Sequence, residues 1–208
     1  MDAQKIEPLF TRADGAYMFA RWGRPIAPVV FGVESETLAL VKGAVQAICA
    51  ACNHQMAETD PELGSNLMVF FARHWNEYLD IPDLDRLIPD LHALIARLKA
   101  ADANQYRIFR FDEQGAIKAC FVMLCMDDHL QSVGADTLVL SQMVQSMVLW
   151  SDRAFQDQSP LAMTPQGHAI LRPEISVLLR AVYDPILPAM AQDASHALRV
   201  AARISAVS

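Results

Sequence analysis

Glycine is scarce in this chain, 8 residues in 208, and none stands in a phosphate-cradling or dinucleotide-binding pattern, so nucleotide binding by those routes is excluded. Positive charge is also in deficit. With 17 Lys and Arg against 24 Asp and Glu the formal charge is −7, which repels phosphate backbones and anionic lipid alike, so neither nucleic acid nor a membrane is an expected partner. No apolar run approaches the ~20 residues of a membrane span, and "MDAQKIEPLF" lacks the basic stretch and apolar core of a secretory signal. The chain is therefore read as cytoplasmic and its four cysteines as reduced. Ser141 and Ser151 lack the Gly-x-Ser-x-Gly context that exposes a nucleophile, and no His-Glu-x-x-His is present. Repeats, low-complexity tracts and Pro/Gly-rich linkers are missing too, which leaves one domain over 1–208.

What is present is a hydrophobic fraction of 53%, enough in a chain of this length to build a core without disulfide or metal staples. After an irregular arm over 1–24, the Val-rich run "IAPVVFGV" (26–33) reads as a strand. Leu38, Val41, Val45, Ile48 and Cys52 then recur at helical spacing, with Ser35 as the expected N-cap. "NLMVFFA" (66–72) is a second strand, and 83–102 a short helical turn followed by a main helix with Pro89 at its first position. "QYRIFRFDEQGAIKACFVMLCMD" (105–127) predicts two strands joined by "DEQG", with Gly115 supplying a positive φ. Helices follow over 136–150, 173–183 and 193–204. The pattern predicts an α+β fold: a small mixed or antiparallel sheet, within a sheet-rich half (26–127), covered on one side by helices, and a helical half (136–204).

Few side chains stand in a chemical pattern. Cys49 and Cys52, one helical turn apart and followed by His54, are read first as core packing, with a thiol redox sensor or half a zinc site as alternatives. Cys120 and Cys125, five apart in a strand, point to opposite faces and complete no site with them. Asp127, Asp128 and His129 gather at a strand end and, with His168, form the candidate set for a hydrolase-type enzyme. His74 and His92 stand alone. Arg199 and Arg203 make a local basic stripe of the kind that suits a helix C-terminus.

The stretches "QYRIFRFD", "KACFV", "VLSQMVQSMVLWSDRAF" and "EISVLLRAVYDPILPAM", in that order over 84–190, resemble an uncharacterised alphaproteobacterial family with a zincin-like metallopeptidase fold. In that family a helix opening with His-Glu holds the metal, and a later helix ends in a Leu-x-x-x-Tyr-x-Pro pattern followed by Met, matched here by Leu179, Tyr183, Pro185 and Met190. The His-Glu positions fall on Leu140 and Ser141, or one residue on, on Ser141 and Gln142, so neither register supplies a zinc ligand or a base. The resemblance implies a pseudoenzyme that binds a protein or small ligand in the groove between that helix and the sheet edge, where an extended peptide could add as a strand. Gln142, Gln145 and Asp152 would line the groove and Trp150 would anchor the ligand; no metal or cofactor is expected. The ten methionines and the apolar C-terminal helices point to a homodimer through those helices.

Overall fold

The computed structural model describes residues 1–207, with side chains described to Ala206. The N-terminal arm holds a helical turn, α1 (Ala3–Ile6), and a two-residue strand, β1 (Phe19–Ala20). The central part runs β2 (Pro28–Phe31), α2 (Ser35–Ala51), β3 (Leu67–Ala72), α3 (Leu84–Leu87), α4 (Leu91–Ala100), β4 (Gln105–Phe111), β5 (Ile117–Cys125) and α5 (Asp128–Ser132). The C-terminal part runs α6 (Ala135–Ser146), β6 (Leu161–Met163), β7 (Ala169–Leu171), α7 (Pro173–Val182), β8 (Met190–Ala191) and α8 (Ser195–Val207). Among the described residues no helix is long and apolar enough to cross a membrane.

The fold is α+β, around a mixed four-stranded sheet ordered β2-β3-β5-β4. β2, β3 and β5 are parallel, and β4 runs antiparallel to β5 as the hairpin expected from "DEQG", with Gly115 at φ +79°. The sheet is covered on both faces, not one. Side chains alternate across the pleat: Leu67, Val69, Cys120, Val122 and Leu124 join the core with α2, α6 and α7, while Phe70, Ala72, Phe121 and Met123 join a second core with α3, α4 and Tyr78. Cys120 and Cys125 accordingly fall on opposite faces. The near-continuous apolar run of β5 is the pattern that burial on both faces produces, and the one-sided expectation overlooked it.

Several boundaries move for local reasons. Ser35 is inside α2, and Glu34 takes the N-cap position without a side-chain hydrogen bond. Pro89 precedes α4 instead of opening it. It forces Ile88 into extended backbone, which ends α3, and Asp90 then starts α4 from the left-handed region that aspartate tolerates. The C-terminal half is not wholly helical: β6 pairs with β7, and β8 reaches back to β1. α6 stops at Ser146, where the indole of the fully buried Trp22 donates to the Ser146 carbonyl (2.8 Å).

The arm is tied to the segment leaving α6. Phe10 stacks on Trp150 at 5.5 Å, the Ser151 hydroxyl donates to the Pro8 carbonyl, and the Ala13 amide donates to the Asp152 carboxylate (2.9 Å). At the far end of the arm Tyr17 meets the buried His196 of α8 at 2.8 Å. The arm is thus built into the core rather than appended to it.

Candidate functional site at the free edge of the sheet

β4 is an edge strand whose unpaired side can be read from its neighbour. The Cys125 amide donates to the Asn104 carbonyl, whereas Cys120 donates to Asn66 and Leu124 to the Tyr78 hydroxyl, both away from β4. In an antiparallel ladder these phases alternate, so Tyr106, Ile108 and Arg110 face β5 and Gln105, Arg107 and Phe109 turn their N–H and C=O groups outward. Among the described residues no further strand pairs with this edge.

The side chains of those same outward-facing residues lie on the α6 face of the sheet. Arg107 reaches beneath the edge to α6, where its Nη2 donates to the side-chain carbonyl oxygens of Gln142 and, at 3.2 Å, of Gln105. Gln142 returns a bond from Nε2 to Gln105 (3.0 Å) and is itself only 2% exposed. Ser146 donates to the Gln142 backbone carbonyl one turn earlier. Beside the guanidinium lies Cys120, whose thiol is pushed up to about 12 by burial.

Arg107 is the unusual member. Among the described residues it makes no ion pair, and its Nε is buried without a hydrogen-bond partner. Burial brings its pKa down to about 10, so at neutral pH it remains a cation, held by neutral carbonyl oxygens alone. A buried charge without a counter-ion is costly, and the usual remedy is a carboxylate within reach. Arg110, within β4, and Arg97 of α4 lie on the opposite face of the sheet and also lack an ion pair among the described residues: Arg110 donates to the Leu87 carbonyl and Arg97 to the Tyr106 hydroxyl.

Of the residues expected to line the groove, the structure brings Gln142 to the edge and uses the others elsewhere. Gln145 bonds to Ser141 within α6 (2.9 Å), and Trp150 and Asp152 hold the N-terminal arm. The residues that the sequence reading passed over are Gln105 and Arg107. The signal for them was present: Arg107 alternates with Phe109, which places a cation on a face otherwise turned to the core.

The thiol pair does not have the accessible, acidic character a sensor requires. Cys49 and Cys52 are both buried, with thiols raised by burial to about 11 and about 12. They sit at the C-terminal end of α2, where the helix dipole opposes a thiolate. His54 is brought close to Tyr183 (4.8 Å between rings) and bonds to the Arg24 carbonyl, and burial lowers its pKa to about 4. Asp127 caps α5 by accepting from the Leu130 amide and from the Asn104 side chain, while Asp128 and His129 are exposed on that helix. His168 lies in the β6–β7 turn, where its amide donates to the Thr164 hydroxyl, on a different element from the other three. No group of three or more His, Cys, Asp or Glu side chains arranged to hold a metal occurs among the described residues.

Among the open depressions away from this edge, two stand out. The larger, about 1070 Å³, separates the N-terminal arm from residues 153–159 and the start of α7. The second, about 960 Å³, lies where β2, β3 and β5 end, bordered by Gly32, Thr37, Arg73, His74 and Gln131. Its shape depends on Gly32: at φ +79°, a Cβ there would stand 2.0 Å from the Phe71 carbonyl oxygen. Glu77 is already committed at its rim, accepting from the Arg73 and His74 amides. Compared with family profiles, curated proteins and solved structures, the chain matches none.

Proposed function

We propose that this chain is a non-catalytic binding protein that captures an extended segment of a partner as a fifth strand along β4. The observation that carries the reading is the seven-residue edge with the outward backbone groups of Gln105, Arg107 and Phe109, underlain by a polar network instead of a sealed apolar core. Main-chain hydrogen bonds to such an edge supply affinity without regard to sequence, and the side chains beneath it supply selection. A zincin-like ancestry fits the same reading, because a helix with Leu140, Ser141 and Gln142 where a His-Glu pair would stand lacks the means of hydrolysis.

A small ligand in the crevice at the ends of β2, β3 and β5 is the second reading. It is favoured by position, since open sheets with parallel strands bind ligands beyond the carboxyl ends of those strands. One experiment separates the two. Peptides selected from a displayed library of random nonamers on the folded protein are titrated into isotopically labelled protein, and backbone amide shifts are followed by NMR. Strand addition moves the signals of 105–111 and the side-chain amide of Gln142. Movement confined to Gly32, His74 and Gln131 instead would transfer the function to the crevice.

A further inference from the structure

We infer that the segment added along β4 is acidic, with an Asp or Glu carboxylate set over Arg107. This rests on the strand-addition reading and adds to it the chemistry of the partner. Three observations point the same way. Arg107 is a half-buried cation whose Nε has no partner and whose Nη2 is met only by amide oxygens. Arg110 and Arg97 lie on the opposite face of the same strand, over Phe121 and Tyr106, also without ion pairs among the described residues, so β4 carries cations on both faces and no acid in a chain of net charge −7. Lastly, the backbone of Arg107 faces outward while its side chain lies on the α6 face. A residue paired opposite it on an added strand would project its side chain onto that same face, within ~5.5 Å between Cα atoms. A carboxylate there would meet the guanidinium at Nη1, which makes no hydrogen bond and is not sealed as Nε is, and would neutralise the cation through a charge-assisted bond.

A second copy of this chain is the wrong occupant. β4, Gln105–Phe111, holds no Asp or Glu, so a self-paired edge would bring more arginine to the arginine already there. The partner is therefore a different protein, or a disordered tail, with an alternating acidic strand sequence.

The test uses three blocked, fluorescently labelled heptapeptides of alternating Thr and Val with Glu, Gln or Lys at the central position, titrated into the full chain by anisotropy. The Glu peptide is expected to bind about tenfold more tightly than the Gln peptide, with the Lys peptide weakest, and to lose that advantage as salt rises. Arg107→Met should make the Glu and Gln peptides equal, and Arg107→Lys should restore part of the preference. Equal binding of all three to the unaltered protein overturns the acidic preference and leaves strand addition standing. No binding of any of them, together with aggregation of Arg107→Met, overturns both, and would assign Arg107 to keeping a bare edge from pairing with its own kind. Because the peptide series is read on the unaltered chain, a variant that failed to fold would not remove the test.

Discussion

Two histidines in this protein are held neutral by their surroundings. His196 is fully buried, stacked on Phe19 at 4.3 Å and bonded to Tyr17, and burial first, then the nearby Arg199, lowers its pKa to about 4. His54 is lowered to the same region by burial. Between their ordinary value of 6.5 and about 4, the unfolded chain takes up protons that the native fold refuses. Stability therefore rises with pH across that window and is flat with respect to these groups above it. Urea unfolding at pH 7 and pH 5 should show the acidic loss, and His196→Gln should remove about half of it. An unchanged slope in that variant would mean His196 titrates normally. The thiols give a second reading at the same scale. Cys125 is half-exposed while Cys49, Cys52 and Cys120 are buried, so an aromatic disulfide reagent should modify one thiol in the native protein and four after unfolding. Fast modification of three, Cys49 and Cys52 with Cys125, would show that pair accessible and reopen the sensor reading. The burial of that pair was legible in the sequence, because Cys52 lies on the apolar stripe of α2. Arg107 was passed over although its spacing from Phe109 puts it on the same face, because an arginine in an apolar strand looks like a solvent-facing residue.

At the level of elements, the hairpin β4–β5 and helices α2, α4 and α7 were legible because each has a strong period or a definite turn. Where the expectation missed, a single neighbour decided the outcome. Ile88 was made extended by Pro89, α6 was cut short where Trp22 takes the Ser146 carbonyl, and β1 and β8 are too brief to carry a pattern at all. The edge itself illustrates a conflict between stability and use. Holding an unpaired guanidinium at the edge of the core costs more than an apolar side chain of similar length would. Arg107→Met is therefore expected to raise the melting temperature by roughly 2–4 °C, the effect of about 1 kcal/mol in a chain of this size. Calorimetry decides it: a lowered melting temperature would show that the amide oxygens of Gln105 and Gln142 satisfy Arg107 fully, and that nothing is left for a ligand to supply.

Over the whole molecule, the α+β class could be read from the order of patterns and the covering of both sheet faces was signalled by the apolar run of β5, whereas the path of the N-terminal arm could not be read. That path depends on contacts between residues far apart in sequence, such as Ser151 with Pro8 and Tyr17 with His196. Those contacts also explain why the expected groove residues divided. The arm claims Trp150 and Asp152, and what remains open is the stretch of β4 over Gln142. On the proposed reading, the β4 edge of this acidic chain receives an acidic segment. The most direct measurement is amide hydrogen exchange, resolved by residue, with and without saturating Glu-containing heptapeptide. The amides of Gln105, Arg107 and Phe109 should exchange fast in the free protein and slow by about tenfold or more when the peptide is bound, with those of Tyr106 and Ile108 already protected. Unchanged exchange at the three outward amides while the peptide is bound would contradict strand addition at β4.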